Sequence, residues 1–188
     1  MGHLILTDAC KAARSWLDSA DDPPPVAINV SPRQVADNAF VATVAQSLAM
    51  FDLPASQLRE KAAMVDPEAT LVLFEHLSAL GVGLVLDDVG DGRSSLSHLA
   101  RFPVHMLAMS RAFSTRVLHA NGADATVHAV VGLARELGLT VAAKGIERPD
   151  QAQRLRALGC SVGQGPLYGR PQKCSAFIAS VQLTRQVA

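Results

Sequence analysis

Leu84-Val85-Leu86-Asp87-Asp88-Val89-Gly90-Asp91-Gly92 is the stretch on which the fold turns. Val82 to Leu86 is mostly large and apolar, the pattern of a short strand buried on both faces, and it runs straight into two adjacent carboxylates and a glycine-rich turn. In parallel α/β sheets, functional groups collect at the carboxyl ends of strands, because the loops that follow are free of packing duties. Paired carboxylates at such a place suit hard divalent cations. The plainer alternative is that Asp87 or Asp88 caps a helix starting near Ser94, or stabilises the Gly90/Gly92 turn.

The same grammar recurs further on. Leu80-Gly81-Val82-Gly83-Leu84, Leu137-Gly138-Leu139-Thr140-Val141 and Leu158-Gly159-Cys160-Ser161-Val162 each place a glycine after an amphipathic helix and a strand after the glycine. Glycine suits the left-handed position that ends such a helix. Counted from the glycine, Asp87 and Lys144 are both six residues on and Gln164 is five, so three strands end in polar residues in nearly the same register. Asn29 ends a further strand and Met106 to Met109 another, stopping at Ser110. Repeated helix, glycine, strand units imply parallel strands with right-handed crossovers and a barrel-like site at one end of the sheet. The class is α/β.

Around this frame the periodicity predicts a helix over Leu4 to Leu17, ended by the run Asp21-Asp22-Pro23-Pro24-Pro25. A strand follows over Val26 to Val30, then Ser31 caps a long helix from Arg33 to Met50. Leu58-Arg59-Glu60-Lys61-Ala62-Ala63-Met64 is too polar for a buried strand, which leaves five strands. Asp66-Pro67-Glu68 opens a helix with Pro67 in its first turn, running to Leu80. Met106 and Met109 alternate as packing residues, and His76 and His105 form no ligand cluster.

The 188 residues suffice for one domain with a real core, but a complete eight-stranded α/β barrel usually needs about 200 or more. Lys plus Arg and Asp plus Glu both number 17, so no basic field exists to hold DNA or RNA. Cys10, Cys160 and Cys174 make neither a disulfide framework nor a zinc site. The apolar run Leu4 to Leu6 is too short for a signal peptide or a membrane span, so a cytoplasmic protein is expected.

At this point the chain resembles the EAL domain family, bacterial phosphodiesterases that open cyclic di-GMP to the linear dinucleotide. Asn29-Val30-Ser31-Pro32-Arg33-Gln34 resembles the family's N-[LV]-S-x-R-Q, and Leu86-Asp87-Asp88-Val89-Gly90-Asp91-Gly92-Arg93-Ser94-Ser95-Leu96-Ser97 is similar to L-D-D-F-G-T-G-Y-S-S-L-S. Lys144-Gly145-Ile146-Glu147 resembles E-G-V-E, and Gly163-Gln164-Gly165-Pro166-Leu167 resembles A-Q-G-Y-L, with Arg170-Pro171 behind it. The resemblance covers essentially residues 1–188 as a single EAL-like domain. It implies a modified TIM-type barrel with two Mg²⁺ or Mn²⁺ ions acting on a phosphodiester. By position it implies Asn29, Asp87 and Asp88 as metal ligands, with Glu147 and Gln164 beside the site as ligand-binding residues.

Departures from the family pattern weigh against hydrolysis. The Glu-Ala-Leu segment that names the family is absent, along with the first strands. The strand of the form L-E-[IV]-T-E is shortened by about four residues after Arg59, which implies a disrupted strand in an incomplete barrel, with Glu60 as the remnant of its last Glu. Ala108 stands where the family has a Lys, Ser110 where it has an Asp, and Lys144 where it has a Glu. Two octahedral Mg²⁺ ions are poorly served by Asn29, Asp87, Asp88 and water alone. Lys144, in register with the two carboxylates, is instead expected to take a cation's place between them.

The reading is therefore a degenerate EAL-type domain used in signalling without turnover. It is either a cyclic di-GMP receptor or a module for a protein partner such as a regulator or sister signalling domain. The missing early segment, which in the family supplies an Arg to the ligand, favours the second slightly. The alternatives are a weakly active phosphodiesterase completed by another chain, and a fragment with no selected activity. Open sheet edges in such a barrel drive association, so a homo-oligomer is expected in sedimentation; a clean monomer at high concentration would argue for a rearranged, closed core.

Overall fold

The computed structural model describes residues 2–18, 23–89, 99–118 and 123–177. In chain order the elements are α1 (Gly2–Leu17), β1 (Val26–Asn29), α2 (Pro32–Val35), α3 (Phe40–Met50), β2 (Leu58–Ala63), α4 (Pro67–Ala79), β3 (Gly83–Val89), β4 (Met106–Met109), α5 (Arg111–Arg116), α6 (Ala123–Glu136), β5 (Thr140–Lys144), α7 (Pro149–Ala157) and β6 (Val162–Gln164). The strands form one sheet in the order β1-β2-β3-β4-β5-β6, every pair parallel, with helices in the connections β1–β2, β2–β3, β4–β5 and β5–β6. The sheet curls into part of a TIM-type barrel, and β1 and β6 are its open edges.

Alternation along the strands splits the core in two. Leu84, Leu86, Leu107, Met109, Val141 and Ala143 point outward into the large core beneath the helices. Val85, Ala108 and Ala142 point into the concave side, where Met106 packs against them. Met106 and Met109 thus sit on opposite faces, as their spacing predicts. The glycines of the repeat end their helices with positive φ, +84° at Gly81, +69° at Gly138 and +102° at Gly159, a conformation in which a Cβ would meet the following carbonyl.

Three expectations are corrected. The sheet has six strands, not five, because Leu58–Ala63 is an intact strand in parallel register with both β1 and β3. Its polar residues are accommodated by alternation: Leu58, Glu60 and Ala62 are buried outward, while Arg59, Lys61 and Ala63 are half-buried on the concave side. The expected disruption is therefore not seen. Glu60, the expected remnant of the motif's last Glu, points into the outer core.

The long helix expected from Arg33 to Met50 is two helices. Ser31 starts the first, accepting from the Gln34 backbone N–H while the Gln34 side chain accepts from the Ser31 N–H at 3.0 Å. The Asp37 carboxylate then accepts from the Ala39 N–H at 2.9 Å, a local turn that competes with continuing the helix. The predicted start of α4 is present, with Asp66 capping and Pro67 in the first turn.

Candidate functional site

β3 reaches the carboxyl end of the sheet with one residue too many. Leu86 pairs with Leu107 and Val89 with Met109, so three steps on β3 match two on β4. Asp88 absorbs the surplus at φ +53°, a left-handed conformation that Asp tolerates better than most side chains. Since Leu86 and Val89 both point outward, the bulge leaves Asp87 and Asp88 together on the concave side. Two neighbouring residues of a regular strand would have pointed to opposite faces.

Lys144 meets them. Its Nζ donates to Asp87 Oδ1 at 2.8 Å and to Asp88 Oδ1 at 2.5 Å, with the Lys144 and Asp87 side chains only 21% and 13% exposed. Burial by itself lowers the Lys144 pKa, but the hydrogen bonds and charges of Asp87 and Asp88 outweigh it and raise the pKa above the usual lysine value. The ammonium stays charged and sits between the carboxylates, as its register with them leads one to expect.

The rest of the cup follows from strand tilt. In a curled parallel sheet the strands lean, so level positions climb along successive strands and alternate strands share a tier. Following the register up two residues at every second strand puts Asn29, Asp87 and Lys144 on one tier. The adjoining tier is formed by Lys61, Ala108 and Gln164 from the even strands. Asn29 and Gln164 are exposed at the two edges. Glu147 lies beyond β5, exposed, in an ion pair with Arg111. The Gly90-Asp91-Gly92-Arg93-Ser94-Ser95 turn lies outside the described residues, as does the helix start near Ser94.

A buried network fixes the loop that carries Lys144 and Glu147. Ser114 Oγ donates to the Lys144 carbonyl at 2.6 Å, and Gln151 Nε2 donates to the Ser114 carbonyl at 2.9 Å. Gln151 Oε1 accepts from the Glu147 and Arg148 backbone N–H groups at 2.9 and 3.0 Å. At Gly145 a Cβ would come within 2.3 Å of Arg111 Cγ, so this loop packs against the start of α5. At Gly165 a Cβ would lie 2.2 Å from the Ile146 carbonyl, which ties the end of β6 to the same loop. Ser114, Gln151 and Lys61 carry no motif of their own. Lys61 is legible only through the two-residue alternation that opposes it to Leu58 and Ala62.

A divalent pair, which the resemblance implies, needs several oxygen donors free of other cations. One oxygen each of Asp87 and Asp88 is engaged by an ammonium, and a second lysine, Lys61, occupies the adjoining tier. Among the described residues, no three His, Cys, Asp or Glu side chains converge as a metal site. These residues do not fit a two-metal centre. His105 is engaged elsewhere, its Nδ1 accepting from the Leu84 N–H at 3.4 Å.

The profile of the EAL domain family matches residues 1–171. The chain is 39% identical over 185 residues to the bifunctional diguanylate cyclase/cyclic di-GMP phosphodiesterase MucR of Pseudomonas aeruginosa, covering 96% of this chain and 27% of that protein. It is 33% identical over 171 residues to the cyclic di-GMP phosphodiesterase RocR of the same organism, covering 89% of this chain and 44% of RocR. The solved structure of the PaMucR phosphodiesterase in complex with c-di-GMP superposes with a TM-score of 0.88 at 37% identity, over 94% of this chain and 73% of that one. The chain thus spans less than half the length of these two curated relatives. Among the described residues, no helix is long and apolar enough to cross a membrane.

Proposed function

The chain belongs to the EAL domain family, and we propose that this domain is cytoplasmic and binds cyclic di-GMP without hydrolysing it. The observation that carries this reading is the Lys144 ammonium bridging Asp87 and Asp88. Two-metal hydrolysis needs carboxylates free to hold ions that activate water and stabilise charge on the phosphate. Here the two carboxylates already have a tethered cation, and Ala108 on the neighbouring strand offers no proton-transfer group.

Gln164 at the rim and Glu147 on the loop above it are assigned to the nucleotide. Asn29, Asp87 and Asp88 line the same cup without forming a metal pair. The clefts on the helical side of the sheet, about 730 Å³ beside Arg14 and Asp52 and about 610 Å³ beside Glu68 and His76, lie away from this polar convergence.

Titrating cyclic di-GMP into the protein by calorimetry in Mg²⁺ buffer, with chromatography of the mixture afterwards, tests the reading. Saturable heat with intact cyclic dinucleotide is the expected result. Sustained heat with linear dinucleotide would make the domain an enzyme, and no heat at all would leave the cup without a nucleotide and favour a protein partner.

A further inference from the structure

We propose that Lys61 is the group in the cup that takes a phosphodiester anion, and that it does so without a divalent cation. The inference rests on the receptor reading above and names how that site holds its ligand.

Lys61 lies on β2 between Asn29 of β1 and Val85 of β3, on the concave side. Two residues deeper on the same strand is Arg59, whose stem crosses Gly83 so closely that a Cβ there would come within 2.9 Å of Arg59 Cγ. Both side chains are half-buried, and among the described residues neither has a carboxylate within ion-pair distance. The nearest acids by register, Asp87 and Asp88, are already bridged by Lys144. Among the described residues the concave side therefore carries three cations, Arg59, Lys61 and Lys144, against two carboxylates, Asp87 and Asp88, with the surplus on β2.

A partly desolvated ammonium without a counter-charge is costly unless an anion completes it. A phosphodiester monoanion suits that place, since a lysine ammonium is a compact point charge with three donors and needs no fixed fork geometry. The place is level with the ring of polar groups that would read the rest of a nucleotide, with Gln164 on the same tier and Asn29 beside it. In a two-metal site the ions would supply the positive charge facing the phosphate. Here Lys61 supplies it from the protein.

Calorimetry with cyclic di-GMP in EDTA and in Mg²⁺ is the test, on the unaltered protein and on Lys61→Met and Lys61→Arg. Affinity of the unaltered protein is expected to agree within about twofold between the two buffers, and to fall as NaCl is raised. Lys61→Met is expected to weaken binding at least about tenfold in EDTA, and Lys61→Arg to keep it within about threefold, since the charge is retained. Should Lys61→Met fail to fold by circular dichroism, Lys61→Gln reads in the same way. Binding that requires Mg²⁺, or that Lys61→Met leaves unchanged in EDTA, overturns the role of Lys61 while the receptor reading stands. No binding in either buffer overturns both.

Discussion

Replacing Glu60 by Leu is expected to stabilise the folded chain by about 3 kcal/mol at pH 7, more than surface substitutions deliver. Glu60 is fully buried on the outer face of β2, between Ile28 and Leu84 in the register, and neither carboxyl oxygen has a hydrogen-bond partner among the described residues. Burial pushes its pKa from the ordinary 4.5 up to about 8, so it enters the core as a neutral acid. Below about pH 4.5 the folded and unfolded chains are both protonated and the position costs nothing through ionisation. From there to about pH 8 the unfolded chain ionises while the folded chain does not. Stability is lost by about 1.4 kcal/mol per pH unit across that window, then levels off.

Leu removes this penalty and the two orphaned oxygens at nearly constant volume. Gln removes only the ionisation and leaves an unpartnered amide. Urea unfolding at several pH values therefore separates the contributions: both variants flatten the decline between pH 5 and 8, and only Leu adds the full gain at pH 7. An unchanged midpoint and an unchanged pH slope in Glu60→Leu would mean that the carboxyl finds solvent or a partner. Cys10 on α1 provides an internal check. Burial and the nearby Glu60 push its thiol up to about 11, and because Cys10 is fully buried it reacts only when the chain opens, so the stability gained in Glu60→Leu should slow its modification.

Glu60 also shows where sequence reasoning stops. The helix-glycine-strand repeat was readable because each glycine answers one local steric demand, and the strands after Gly81 and Gly138 carry residues that are apolar on both faces. That was enough for the parallel sheet and for the placement of Asp87, Lys144 and Gln164 at one end. β2 was missed because its helix-facing side is interrupted by an acid whose protonation depends on the burial that only the assembled fold creates. The split between α2 and α3 was missed because a single Asp37 side chain outcompetes a helical hydrogen bond there. In the site, the facing of Asp88 depended on a bulge. A bulge is decided by pairing with β4, which no local pattern in Leu86-Asp87-Asp88-Val89 announces. The pairing of Lys144 with the two carboxylates was legible from counting alone, because strand tilt converts equal spacing from the glycine into a shared tier.

Lys144→Glu is expected to turn the cup into a site for one Mn²⁺ ion, raising affinity at least about tenfold, or about 1.4 kcal/mol, over the unaltered protein. The substitution removes the ammonium now shared by Asp87 Oδ1 and Asp88 Oδ1 and puts a third carboxylate on their tier, with the Asn29 amide at its edge. Three acids facing each other repel, so the metal-free variant should melt below the unaltered protein and recover when Mn²⁺ is added. Lys144→Met frees the same two acids without adding a third, and its affinity should lie between the two. The stoichiometry is informative in its own right, because Lys61 on the adjoining tier leaves its positive charge where a second ion would need a donor. One ion per chain is therefore expected by calorimetry or Mn²⁺ electron paramagnetic resonance, rising to two only when Lys61→Glu is combined with Lys144→Glu. If a folded Lys144→Glu protein binds Mn²⁺ no better than the unaltered chain, the ammonium does not occupy a cation's place, and the bridge to Asp87 and Asp88 is only a structural ion pair.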